Sequence, residues 1–305
     1  MANAPDGFVQ VEADSSALPY LSYSRVNRYL LCPEQYRLYY VEGMRPAVPP
    51  ASLEFGSAVH RSLAAHFTAG KDPVAVFTAY WANFQEAGLR YSYRETWDSL
   101  NERGQRLLAK FVEEELPRIR NVEACEKPFE LMVSNMDTPL VGVIDLVAEV
   151  DGERCVVDFK TAAQKYQDYE VALSDQLTAY HLAVPSVSDF ALCVLVKTKE
   201  PRIDWYRAER NGEDLVAFLA KSRYVGQAIH AGPSTRGPAN GAPGANSCLF
   251  ASTGERPAPK GRGECRFDSS EPVYVIYWLL RCHAVLVNRS RPRVERCYAR
   301  ANGSS

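Results

Sequence analysis

Hydrophobic and polar positions change their period twice along the chain. The opening period is helical. Ser22 or Ser24 can cap a helix that runs through Leu30, Leu31, Tyr36, Leu38 and Tyr39, and Pro46, Pro49 and Pro50 break it. Further helices are predicted over about 53–67, 73–86 and 97–119, the last with Leu100, Leu107, Leu108 and Phe111 on one face. The pattern then turns strand-like over 129–133, 140–150 and 154–159, with Asp151-Gly152 as a hairpin turn. A helix follows over about 170–184, then a buried strand over 190–196, a short strand over 203–206 that can pair with it, and a helix over 214–230. Helices, three strands, a helix and a strand predict an α/β fold, a central mixed sheet flanked by helices. After Ala231 the texture becomes Gly, Pro and Ser, followed by one apolar run, Val273 to Leu280, and an Arg-rich end. The organisation expected is an extension over 1–19, a domain over 20–230 with a helical N-terminal portion, and an irregular linker and tail over 231–305.

Composition narrows the classes. Hydrophobic residues are 46% and charged residues 24%, which supports a core and excludes wholesale disorder. No apolar run reaches the ~18 residues of a membrane span, and the start lacks a signal peptide, so a cytoplasmic protein with no membrane partner is expected. Net charge is −2, but residues 231–305 hold 11 basic against 5 acidic groups, a basic tail on an acidic body. That is compatible with a polyanion partner and equally with a solvated tail. Eight cysteines in such a chain point to metal or cluster ligands in place of a disulfide framework, with Cys155 and Cys193 read as buried hydrophobes.

The candidate chemistry sits in the two central strands. Asp145 interrupts the apolar run Val141 to Val147, where a carboxylate is costly unless paired or bound to a metal. One hairpin later, Asp158 and Lys160 lie two apart and share a strand face. Antiparallel pairing can bring Asp145 beside Asp158, and two carboxylates with an ammonium can hold a hard divalent ion and a water. Asp158-x-Lys160 alone is as readily a self-satisfied pair. Gly56 and His60 are one helical turn apart, so the imidazole can reach a metal where the glycine allows close approach. Gln176 and Tyr180 have the same spacing on the helix after the Lys160 strand and can hydrogen-bond toward the site or to a phosphate. His66 reads as structural. Glu54 and Glu130 are outer-shell candidates that no pattern singles out.

Five segments in order resemble the PD-(D/E)xK nuclease superfamily, and within it the RecB-like exonuclease branch that includes the CRISPR adaptation nucleases. They are Leu21-Ser22-Tyr23-Ser24 with Cys32-Pro33-Glu34-Gln35-Tyr36, Gly56-Ser57-Ala58-Val59-His60, Gly142-Val143-Ile144-Asp145, Val157-Asp158-Phe159-Lys160-Thr161, and Gln176-Leu177-Thr178-Ala179-Tyr180. The resemblance covers about residues 20 to 230. It implies a restriction-endonuclease-like core and metal-dependent hydrolysis of DNA, exonucleolytic on ends or single strands, with a helicase or recombination partner as an open expectation. It implies Mg2+ or Mn2+ held by His60, Asp145, Asp158 and the Phe159 backbone carbonyl, and catalytic roles for Asp145, Asp158, Lys160, Gln176 and Tyr180. Lys160 would position or deprotonate a water, or stabilise the developing charge. Many relatives also hold a [4Fe–4S] cluster, which would assign Cys32, Cys248, Cys265 and Cys282. The late cysteines here are spaced far more widely than in that pattern, so a zinc site or no metal at all stands beside the cluster. The rival class is a catalytically silent nucleic-acid-binding module of the same fold. Glycoside hydrolysis by paired carboxylates is disfavoured by the adjacent lysine.

Overall fold

Asp151 and Gly152 take left-handed φ values of 56° and 89°, the geometry of a tight type I′ hairpin. They join strand β4 (Leu140–Val150) to β5 (Glu153–Ala162), and this hairpin is the centre of a five-stranded sheet. The structure is a computed structural model. It describes residues 7–11 and 20–232, apart from 134–135, 137, 168–170 and 172–173. The linker and tail expected beyond residue 232, with Cys248, Cys265 and Cys282, lie outside the described residues.

The chain begins with β1 (Phe8–Gln10), helix α1 (Tyr23–Leu31), the single turn α2 (Pro33–Tyr36) and β2 (Met44–Pro46), which pairs antiparallel with β1. Helices α3 (Ala51–Ala69), α4 (Pro73–Ala82) and α5 (Trp97–Lys110) follow, then the edge strand β3 (Ile119–Leu131). After the hairpin come α6 (Asp175–Ala183), β6 (Asp189–Val196), β7 (Arg202–Ala208) and α7 (Gly212–His230). The sheet order is β3-β4-β5-β6-β7, with β5 and β6 parallel and every other pair antiparallel. The sheet is therefore mixed, and α6 makes the crossover that a parallel pair needs.

Each face of the sheet is covered because β4, β5 and β6 are apolar on both sides. Phe55, Val59 and Leu63 of α3, Phe77 and Trp81 of α4, and Leu107 of α5 pack on Leu146, Val157, Phe159 and Cys193. Leu177 and Tyr180 of α6 pack on the opposite face with Ile144, Val156, Leu192 and Val194. A third cluster, with Leu21, Val26, Phe218 and Val225, ties α1 and α7 to Leu140 at the start of β4. Cys155 and Cys193 are fully buried, as small hydrophobes.

Several elements differ from the expectation. The first helix does not run through to Tyr39. It stops at Cys32, whose extended backbone (φ −165°, ψ 110°) ends α1, and Pro33 opens a new turn. The helix expected to 119 keeps its α form only to Lys110, widens into a π turn over Phe111–Glu115 and ends in a 3-10 turn over Leu116–Arg118, where Pro117 has no N–H to continue the ladder. The helix expected to 86 ends at Ala82. β3 is 13 residues long where only 129–133 looked strand-like. Its first ten residues are mostly exposed and charged, as befits a sheet edge, and show no alternation.

Candidate active site

The β4–β5 ladder stops at Leu146–Val157, one residue before Asp145 would face Asp158. The alternation of β4 slips at the same place: Ile144 and Leu146 are two apart yet pack on opposite faces of the sheet. The two strands part here while β5 continues along β6 to Ala162. The Phe159 N–H, freed from the ladder, donates to Asp145 Oδ2 at 2.8 Å. The Val143 carbonyl, equally freed, accepts from the Tyr180 hydroxyl at 2.9 Å. The gap between strands is thus lined by a carboxylate and closed by a tyrosine.

Asp158 is fully buried and its charge is enclosed. Lys160 Nζ lies 2.8 Å from Asp158 Oδ2 and donates to Gln176 Oε1 at 2.7 Å. Gln176 Nε2 donates to Asp158 Oδ1 at 2.7 Å and to the Tyr180 hydroxyl at 2.8 Å. That hydroxyl is also 3.0 Å from Asp158 Oδ1. The hydroxyl has one proton for two acceptors, Val143 O and Asp158 Oδ1, so the network has two arrangements. Ser174 caps α6 by accepting from Leu177 N–H, which fixes the turn carrying Gln176 and Tyr180. Burial would depress the Lys160 ammonium, but Asp158 beside it holds its pKa above the ordinary lysine value. Burial keeps the Tyr180 hydroxyl protonated far above its ordinary range.

On the other side of Asp145 stands α3. A Cβ on Gly56 would sit 3.1 Å from Thr161 Oγ1, so the glycine lets α3 lie close over the end of β5. One turn on, His60 Nδ1 is 3.5 Å from Asp145 Oδ2. Burial lowers the His60 pKa, which leaves the ring neutral with a lone pair to offer a metal. Burial and the Asp158 charge together raise the Asp145 pKa. Gly142 in β4 is needed for packing, since a Cβ there would meet the Phe129 ring at 2.6 Å, and Phe129 in turn meets Tyr180 edge-on.

Asp145, Asp158, Lys160, Gln176, Tyr180, His60 and Phe159 are therefore all brought together. Among the described residues, His60, Asp145 and Glu126 each offer one ligand atom, and the three atoms lie within 4.8 Å of one another. This mixed nitrogen and oxygen set fits a divalent ion. Asp158 is not in that group; its Oδ1 accepts from Gln176 and Tyr180, while its buried Oδ2 has no hydrogen-bond partner among the described residues and lies beside the Lys160 ammonium. Glu126 carries no signal in the sequence, and Tyr23 stands there only as part of the Leu21–Ser24 segment, with no role assigned. Tyr23, in the first turn of α1, is close enough to Lys160 for the ammonium to offset part of the burial that raises its pKa. Glu54 and Glu130 are not in the converging group. His66 is structural: Nδ1 bonds the Lys71 carbonyl at 2.9 Å, closing the end of α3. Cys32 is half-buried, and its Sγ caps α2 by accepting from Gln35 N–H at 3.4 Å.

This is an α/β domain whose polar site lies where two central strands part. The sequence profile of the PD-(D/E)XK nuclease superfamily matches residues 20–253, and the chain belongs to that superfamily. Among solved structures, the chain is similar to a "Putative exonuclease" from Eubacterium rectale, at 12% identity and TM-score 0.46, over 81% of this chain and 100% of that one. It is also similar to a protein named SSO0001, at 13% identity and TM-score 0.30, over 68% of this chain and 87% of that one. No curated protein matches the sequence. Among the described residues, no helix is long and apolar enough to cross a membrane.

Proposed function

We propose that the protein is a divalent-metal-dependent deoxyribonuclease acting on DNA ends or single strands. The observation that carries the reading is the junction of two groups at the parted strands: His60 with Asp145 on one side, and Asp158 with Lys160 and Gln176 on the other. Asp145 and His60 would hold Mg2+ or Mn2+, which supplies positive charge to the phosphoryl oxygens and acidifies a bound water.

The chain's own groups do the positioning. Gln176 Oε1 accepts one Lys160 proton, and Asp158 Oδ2 pairs with the ammonium at 2.8 Å. An ammonium has three protons, so Lys160 can still act as a hydrogen-bond donor toward a water or a phosphoryl oxygen. In hydrolysis the water oxygen bonds to phosphorus, the bond to the leaving sugar oxygen breaks, one water proton passes to solvent, and the leaving oxygen takes a proton from solvent to become a hydroxyl. Lys160 then steadies charge that grows on the phosphoryl group. Tyr180 and Gln176 keep Asp158, and through it Lys160, in one orientation.

The test is incubation of purified protein with end-labelled single- and double-stranded DNA in Mg2+, in Mn2+ and in EDTA. Metal-dependent shortening of the label supports the reading. Binding of DNA with no cleavage in either metal overturns it in favour of a silent binding module.

A further inference from the structure

We propose that Glu126, on the edge strand, is a third ligand of the metal site, so that ion binding clips β3 to the active centre. The inference rests on the nuclease reading above and adds a residue and a structural consequence to it.

The flanking pairs Cys125–Leu146 and Lys127–Ile144 put Glu126 directly across from Asp145. Two carboxylates opposed in neighbouring strands destabilise the pair unless something positive lies between them. Glu126 also has φ 50°, left-handed backbone in the middle of a strand. That conformation crowds the Cβ of a non-glycine residue against the following carbonyl and is sterically unfavourable. The kink coincides with the slip in β4 at Asp145, so both strands depart from regular pleat at one point. The third group, His60, arrives from α3 and is independent of either strand. Ligand atoms around a Mg2+ are about 2.9 Å apart when adjacent and about 4.2 Å when opposite. The ligand atoms of His60, Glu126 and Asp145 lie within 4.8 Å of one another, so side-chain shifts on the order of 1 Å bring all three to one ion. Asp158 lies outside this set: its Oδ1 is engaged by Gln176 and Tyr180, and its Oδ2 lies 2.8 Å from the Lys160 ammonium.

Mn2+ binding to the full chain, measured by the electron paramagnetic resonance of free Mn2+, tests this directly. The wild type, Glu126→Gln, Asp145→Asn and Glu130→Gln are compared. Glu126→Gln is expected to weaken binding at least tenfold, a loss of about the size seen when even a group that only supports a ligand is removed. Asp145→Asn should weaken it as well, and Glu130→Gln should not. Glu126→Gly guards against misfolding: relief of the left-handed backbone should hold or raise the metal-free melting temperature while Mn2+ affinity falls. Hydrogen exchange supplies the second readout, with Mn2+ slowing exchange across residues 124–128 of the wild type. Wild-type affinity in Glu126→Gln, with binding lost in Asp145→Asn, overturns the Glu126 assignment and leaves the metal site standing. Failure of the wild type to bind Mn2+ overturns both.

Discussion

Replacing Gln176 with leucine keeps the volume of the side chain and removes every polar atom from it. Three contacts disappear: those to Lys160 Nζ, Asp158 Oδ1 and the Tyr180 hydroxyl. Two of the three involve a charged partner, worth about 1.5–3 kcal/mol each, and the third about 1 kcal/mol. The full sum overstates the loss. Tyr180 can still donate to Asp158 Oδ1, and Lys160 still pairs with Asp158 Oδ2, so neither charge is orphaned. The leucine also returns some apolar burial. A net cost of about 3 kcal/mol results, a fall of roughly 6–12 °C in melting temperature for a domain of this size. Function should suffer more. Lys160 loses the acceptor that aims it, and a misplacement of about 1 Å costs about 100-fold in rate. Calorimetry in EDTA and cleavage of labelled DNA in Mn2+ measure the two effects. A melting temperature within about 1 °C of wild type together with an unchanged rate would refute the reasoning.

Two further outcomes follow from geometry elsewhere. Gly56→Val should cost about 1–3 kcal/mol by overpacking against Thr161 and should slow cleavage by shifting His60, whereas Gly56→Ala gains helix propensity and comes out near neutral; melting curves and rates on both variants check this. Glu95 and Lys197 form a pair at 2.8 Å in which both side chains are about one-tenth exposed. Burial opposes the Glu95 charge, yet Lys197 holds its pKa below the ordinary value. Its stabilisation is thus present above the unfolded pKa of ~4.3 and is lost as pH falls through the lower folded value. Glu95→Gln should therefore melt well below wild type at pH 6, with the gap closing toward pH 3. A gap that does not change with pH would contradict the pairing.

The central hairpin is legible in the sequence because its two strands are buried on both faces, so each carboxylate stands out against an apolar run. Asp158 and Lys160, two apart, are by themselves as readily a self-satisfied pair, and Asp145 one hairpin earlier is what turns them toward a site. His60, Gln176 and Tyr180 are found by helical spacing, since α3 and α6 each lay one face on the sheet. Glu126 is not legible. It lies in an exposed, charged edge strand with no alternation, and what distinguishes it, a left-handed backbone opposite Asp145, depends on cross-strand register. The break at Cys32 was hidden in the same way: apolar residues continue on both sides of it, and the stop is made by extended backbone before Pro33. The full length of β3 was missed because an edge strand answers to pairing more than to burial.

The central claim is that the parted strands hold a hydrolytic centre built on Asp145. The most direct measurement is the Mn2+-dependent cleavage rate of Asp145→Asn on end-labelled DNA, beside wild type and a His66→Ala control, with equal folded fraction confirmed by melting. The account predicts that cleavage by Asp145→Asn falls by at least 100-fold, of the order seen when a group that stabilises the transition state is removed, while the control stays at the wild-type rate. Wild-type cleavage by Asp145→Asn would contradict it.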